Sequence, residues 1–401
     1  MRIALIADAY PPMRTSGAVQ LRDLSQEMLR QGHDPIVMIP SSDLKQSWSL
    51  VELYGVRVLY LKAPRTKDVG YVQRTLAEFV MPFAMLFSLW RSPFFGEKWD
   101  GVVWYSPTIF LGPIVKALKW ESDCPSYLIV RDIFPEWAVD MGLMTRGLPY
   151  RFFKAVERFQ YSVANIIGVQ TPGNLPYLKE WNATRNRRVE VLQNWLAEAP
   201  VVECSISIYN GPLAGRKIFV YAGNMGVAQG MCTLLDLAEK MLERQNIGFV
   251  FVGRGSDALR LSDDAIARRL DNVLFYDEID PSEIPGLYAQ CHIGLVALDP
   301  RHKTHNIPGK FLSYMQSGLP VLASINPGND LENIINIERV GKVCTDTSSV
   351  TLHRLAEELV KIVSTDPEIS SRCKALAAKL FSPEVAVKQI TSAIRVSKII
   401  N

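Results

Sequence analysis

Neither sign of charge dominates the 401 residues: 44 Lys and Arg stand against 41 Asp and Glu, a formal net charge of +3. The dense basic surface that grips nucleic acid is therefore not implied. Cysteine is sparse and scattered. Cys124, Cys204, Cys232, Cys291, Cys344 and Cys373 form no CxxC pair. Neither a disulfide framework nor a zinc site is expected, and a reducing compartment fits best. Long hydrophobic runs are missing too. The longest, residues 79–90, has twelve residues, where a bilayer-spanning helix needs about 20. The amino-terminal stretch MRIALIAD is too short for a signal peptide and reads as a first buried strand. No P-loop, GxSxG elbow or HExxH pattern occurs, so ATP hydrolysis, serine esterase and zinc hydrolase chemistry lose ground.

What is present is apolar content. Hydrophobic residues make up 48 % and charged residues 21 %, and the mean hydropathy of +0.06 is slightly high for a soluble enzyme. At about 100–200 residues per domain, the length favours two or three domains. Short runs rich in Val and Ile recur at residues 3–7, 36–39, 56–61, 101–105, 127–130 and 166–170, then at 218–222, 249–252, 273–276, 293–297 and 320–323. Parallel strands covered on both faces have this pattern. Helical periodicity lies between them, over residues 17–31, 71–90, 150–163, 229–245, 282–290 and 309–317. The alternation predicts an α/β fold of doubly wound parallel sheets. It starts twice, each time as strand, glycine-bearing loop and helix. Two Rossmann-like domains follow, residues 1–200 and 201–382. The tail 352–400 is helical in pattern, broken at Asp366-Pro367 and Ser382-Pro383. The first 200 residues hold 23 Lys and Arg against 19 Asp and Glu, so the small positive excess sits there.

Four segments carry candidate chemistry. Gly17 follows the first strand at the start of a helix, where backbone N–H groups face a phosphate; a plain tight turn is the alternative. Gly223, Asn224, Gly226, Gln229 and Gly230 open a helix of the second domain. The spacing is not GxGxxG, which argues against a nicotinamide cofactor, and Asn224 adds a side-chain donor. Arg254 lies in the next loop, Gly253-Arg254-Gly255, where either an anion or solvent could meet it. Gly309 and Lys310 open a helix that Gly318 closes. Lys310 is in the first turn, where a cation opposes the helix dipole, so an anionic ligand is expected to hold it. His302 and His305 lie just upstream with no third residue spaced to complete a metal site. Finally, Arg131, Asp132 and Glu136 follow a first-domain strand. A carboxylate there could accept a sugar hydroxyl or act as a base. Alternatively, Asp132 caps a helix and Glu136 pairs with Arg131.

Taken jointly and in order, residues 3–17, 131–136, 191–194, 221–230, 251–255 and 308–320 resemble the family-4 retaining glycosyltransferases of GT-B architecture. The likeness is strongest to bacterial enzymes that transfer amino or deoxy sugars, the L-fucosamine transferases, in O-antigen and capsule assembly. The resemblance implies two Rossmann-like domains facing a cleft, with a UDP-sugar held by the second. It implies an acceptor bound by the first and a final helix, residues 383–401, returning to it. It also implies front-face displacement with retention, without a metal or other cofactor. Under it, Gly17, Gly223, Gly226, Gly309, Lys310 and Arg254 serve the donor phosphates, and Phe275 and Tyr276 lie in the nucleobase region. Asp132, with Arg131 and Glu136, takes the catalytic acidic position. Departures are plain: Asn224 and Gln229 stand where relatives carry cations, Arg131 replaces a His, and His305 and Ser313 replace a pair of glutamates.

Acceptors in such pathways are saccharides on a polyprenyl diphosphate in the inner leaflet. This implies a cytoplasmic protein held peripherally at the membrane. The run 79–90, followed by Phe94, Phe95 and Trp99 amid Arg and Lys side chains, is the segment that would dock, through residues 79–99. Each cation near an anionic leaflet contributes about 1 kcal/mol. A buried core helix or a partner-facing helix remain as other readings of the same run. A sugar-nucleotide epimerase of the same build and a non-catalytic UDP-sugar-binding subunit remain as other functions.

Overall fold

The computed structural model describes residues 1–13, 15–183, 187–226, 229–299, 307–346 and 348–400. The chain divides into two compact units. One comprises Met1–Trp195 with Pro383–Asn401, the other Leu196–Ser382.

The first unit is built on an eight-stranded sheet. Its strands are β1 (Arg2–Ile6), β2 (Asp34–Ser41), β3 (Trp48–Leu53), β4 (Val56–Lys62), β5 (Gly101–Ser106), β6 (Ser126–Val130), β7 (Ile166–Val169) and β8 (Arg188–Val191). The order is β3-β4-β2-β1-β5-β6-β7-β8, parallel throughout except for the β3–β4 pair. The apolar runs expected to be strands are strands, because both faces of the central ones are buried. In β5 and β6 every residue is inaccessible. Strand β3, which sequence patterning does not pick out, forms a hairpin with β4. Tyr54 and Gly55, with φ of 55° and 77°, make its two-residue turn. Its residues alternate between partly buried and exposed, so it never produces a continuous apolar run. The helix Gly112–Ser122 is also unexpected. Pro113 in its first turn suits a helix start.

The helix Tyr71–Trp90 has two faces. Met81, Met85 and Leu89 pack into the core, while Phe79, Phe83, Phe87 and Trp90 are exposed. The reading of this run as a wholly buried helix is corrected accordingly. No helix among the described residues is long and apolar enough to cross a membrane. The last helix, Pro383–Ile400, packs Val387, Ile390 and Ile394 into the first unit's core, against the helix Ser16–Arg30.

The second unit holds six parallel strands: β9 (Lys217–Ala222), β10 (Ile247–Val252), β11 (Val273–Tyr276), β12 (Ile293–Ala297), β13 (Val321–Ser324) and β14 (Gly341–Cys344). Their order is β11-β10-β9-β12-β13-β14. The order reverses between β9 and β12, which is where open α/β sheets bind ligands, at the carboxyl ends of the strands. Four helices differ from the sequence pattern. Residues 229–245 contain only Cys232–Lys240 as α-helix and 282–290 only Ile284–Tyr288, while Ala258–Ala267 and Asp330–Glu338 are additional helices.

Candidate active site

In the second unit the loops after β9 and β10 interlock backbone to backbone. Gly223 N–H donates to Val252 O, Met225 N–H to Arg254 O and Asp257 N–H to Met225 O, at 2.8–3.0 Å. A Cβ at 253 would lie 2.1 Å from Gly223 O, and one at 255 would lie 2.4 Å from Met225 O. Both residues also have φ near +140° to +151°. These two glycines are therefore demanded by the close approach of the loops. The sequence reading singled out Arg254 in this loop and gave the two glycines no role.

The helix Gly309–Ser317 is fixed beside this loop by Tyr314. Its hydroxyl lies 3.0 Å from Val220 O and 3.2 Å from Leu295 O, so it bridges β9 and β12. Gly294 makes room for the ring, since a Cβ there would fall 2.5 Å from it. So anchored, the helix places the half-buried Lys310 ammonium 3.5 Å from the centroid of the Tyr221 ring. The Tyr221 hydroxyl donates to Asn224 O at 2.7 Å, with Gln229 Oε1 3.4 Å away. A Cβ on Gly223 would sit 3.7 Å from Lys310 Cε. Gly223, Asn224, Gln229 and Lys310 thus share one small space at the carboxyl end of β9. Burial lowers the Lys310 pKa to about 7. An anion at this point would restore its charge.

Other expected donor residues are placed differently. Arg254 is 73 % exposed in its side chain and pairs with Glu278 at 3.1 Å, so it does not join Lys310. Gly226 lies under the Asn224 amide, 3.0 Å from where a Cβ would be. Gly309 is the first residue of its helix, and its carbonyl is 3.4 Å from Ser313 Oγ. His305 lies outside the described residues. Phe275 and Tyr276 face opposite sides of β11, as successive strand residues do. Phe275 stacks on Phe251 at 4.9 Å, and Tyr276 packs with the core on the other face. The two rings therefore lie on opposite faces of the sheet.

In the first unit the helix Ser16–Arg30 is capped by Thr15 and seated on Tyr105. A Cβ on Gly17 would lie 3.2 Å from the Tyr105 ring. The Tyr105 hydroxyl donates to Gln20 Oε1 at 2.6 Å, and Trp195 Nε1 donates to Gln20 O at 2.6 Å. Arg131 is buried, donates to Leu192 O at 3.0 Å and lies 4.5 Å from the Trp195 ring centroid. Asp132 is close enough to act electrostatically on both Arg131 and Tyr105. Glu136 does not pair with Arg131. It accepts from Lys154 at 2.8 Å and from Tyr150 at 3.2 Å, tying the helix Glu136–Asp140 to the helix Leu148–Val163. Nor does Asp132 cap that helix, whose N-cap is Pro135.

Residues 216–364 match the family described as glycosyl transferases group 1. The chain is 24 % identical over 339 residues to the probable glycosyltransferase WbjE of Pseudomonas aeruginosa, covering 83 % of this chain and 80 % of that one. Among solved structures, Anabaena HepE in complex with UDP and glucose superposes with a TM-score of 0.69 at 13 % identity, over 99 % of this chain and all of that one. WaaG, a glycosyltransferase involved in lipopolysaccharide biosynthesis, gives 0.64 at 17 % identity, over 97 % and 99 %.

The fold is that of the GT-B glycosyltransferases.

The matched segment of this GT-B chain contains the interlocked glycine loops, Tyr221 and Lys310. Three residues that shape the sites were given no role of their own from the sequence. Tyr221 and Tyr105 sit within apolar strands, where a tyrosine reads as core. Trp195 lies past the last strand of its unit, with no periodic pattern around it.

Proposed function

We propose that the protein is a retaining glycosyltransferase that moves a sugar from a UDP-sugar to a polyprenyl-diphosphate-linked saccharide in surface polysaccharide assembly. The donor fitting the resemblance is an amino or deoxy sugar such as N-acetyl-L-fucosamine. The observation that carries the reading is the Lys310 ammonium, held half-buried against the Gly223 loop at the switch point of the second sheet. A cation beside this glycine loop suits the diphosphate of a nucleotide-sugar. It would stabilise the charge that develops on the diphosphate as the bond to the sugar breaks. With Asn224 and Gln229 neutral, Lys310 supplies the positive charge of this loop. The group 1 match over residues 216–364 supports assigning the donor to the second unit. The first unit then takes the acceptor, with Asp132 beside Arg131 and Tyr105 as its acidic group. The exposed aromatic face of Tyr71–Trp90 supports peripheral attachment at the inner face of the cytoplasmic membrane.

The test is incubation with a panel of UDP-sugars and a polyprenyl-diphosphate-linked saccharide, following UDP release and glycolipid product. UDP release with a retained anomeric configuration is expected. Conversion of the UDP-sugar without acceptor would point to an epimerase. Tight UDP binding with no turnover on any pair would point to a binding subunit.

A further inference from the structure

A groove of about 650 Å³ crosses the first unit between the helices Tyr71–Trp90, Gly112–Ser122 and Leu148–Val163. Its walls are aromatic and aliphatic, among them Phe79, Phe83, Phe110, Trp120, Phe152 and Phe159. Lys116 is the one charged side chain among the described residues that line it. Trp120 stands at its lip, 87 % exposed. Lys116 and Trp120 also line a second pocket, of about 650 Å³, together with Lys119, Lys398, Ser162 and Asp123. An apolar channel therefore opens at one end onto three lysines and Asp123; Lys398 also pairs with Asp100 at 3.1 Å, and Lys119 donates to Val163 O at 2.9 Å.

This combination selects its occupant. A peptide laid in the groove would bring backbone N–H and C=O groups to a wall without polar partners, and each would cost free energy. A hydrocarbon chain carries no such groups. The lysine pocket at the end of the groove complements a phosphate head. The position of that pocket decides which lipid. Cys124 and Pro125 precede β6, and Val163 lies before β7. The pocket thus sits at the amino-terminal edge of the sheet, whereas Arg131 and Asp132 follow the carboxyl end of β6. A head group held there is remote from the chemistry.

We propose that the groove holds one acyl chain of an anionic bilayer phospholipid, with its phosphate on Lys116, Lys119 and Lys398, as a resident anchor and not as the acceptor. Nearby exposed rings fit the same orientation. Trp90 packs edge-on to Phe95 at 6.4 Å, and Arg91 stacks over Phe87 at 3.8 Å, an aromatic and cationic surface suited to the headgroup region. The inference is independent of which sugar is transferred.

The test uses the full chain and vesicles of phosphatidylcholine with or without 30 % phosphatidylglycerol, the latter bearing a photoreactive acyl chain. Cross-links are expected in peptides covering residues 110–120 and 152–159. Ala155→Trp, at an exposed position on the groove wall, is expected to reduce them at least tenfold while leaving the melting temperature unchanged. Lys116→Glu with Lys398→Glu is expected to lower flotation on phosphatidylglycerol vesicles at least tenfold. Three results would overturn the proposal: cross-links confined to residues 79–95, equal binding to both vesicle types, or displacement of the cross-link by equimolar undecaprenyl phosphate, which would give the groove to an acceptor-type lipid.

Discussion

Lys310 lies over the ring of Tyr221 at 3.5 Å, and Tyr221 in turn holds the Asn224 carbonyl of the glycine loop at 2.7 Å. Strand, loop and helix start are thereby joined through one aromatic ring. The ring face offers the ammonium partial compensation for lost water, yet burial still lowers its pKa to about 7. A group held in this way binds an anion the more readily because part of its own solvation is already lost.

Replacing Lys310 with Ala or Met is therefore expected to weaken UDP binding by about 1.5–3 kcal/mol, the range of a charge-assisted hydrogen bond. The fold should be unharmed, since removing a half-buried charge relieves a desolvation cost. Titration calorimetry alongside thermal melting checks both points. Unchanged affinity would remove Lys310 from the site.

The pH dependence follows from the same residue. Binding of a diphosphate raises the Lys310 pKa above its free value of about 7. Its contribution to affinity is then complete below pH 7 and is lost as the pH rises toward the bound value. UDP affinity should be level just below pH 7 and fall by up to about tenfold per pH unit above it. Lys310→Met should abolish that fall. Calorimetry at pH 8 in two buffers of different ionisation enthalpy should report proton uptake in the native chain and none in the variant.

Gly253→Ala should be severe. Its methyl would lie 2.1 Å from Gly223 O at a φ of +140°. A loss on the order of 3 kcal/mol or more is expected from strain and clash together. Chemical denaturation of the purified variant, with UDP binding measured in parallel, would show it. Wild-type stability would mean that the two loops are not locked together.

Glu136→Gln separates two roles for one carboxylate. The Lys154 and Tyr150 contacts predict a structural role, with a stability loss of about 1–2 kcal/mol that lowers the melting temperature. A fall in UDP release with an unchanged melting temperature would instead return Glu136 to the chemistry.

Strands such as β5 and β10 were legible because burial on both faces leaves a continuous apolar run. Strand β3 was not, because its half-exposed residues follow no such run. Lys310 was legible from its unfavourable place at a helix start, a local conflict that points to a ligand. The need for Gly253 was not legible, since the atom that excludes a side chain there comes from residue 223, thirty positions earlier. Glu136 was misread because its partner, Lys154, lies on another helix. For Gly253 and Glu136 the missed cue is a contact between distant segments, which no local pattern carries.

The chain enters the second unit at Leu196 and leaves it at Ser382, and Leu196 N–H donates to Phe381 O at 3.0 Å. The two ends of this unit are therefore neighbours, and the unit is an insertion into a domain whose sequence is split around it. Another compact module with adjacent ends could be spliced in at that junction. Conversely, removing the helix Pro383–Ile400 would leave the inserted unit whole and damage only its host, from which Val387, Ile390 and Ile394 would be withdrawn.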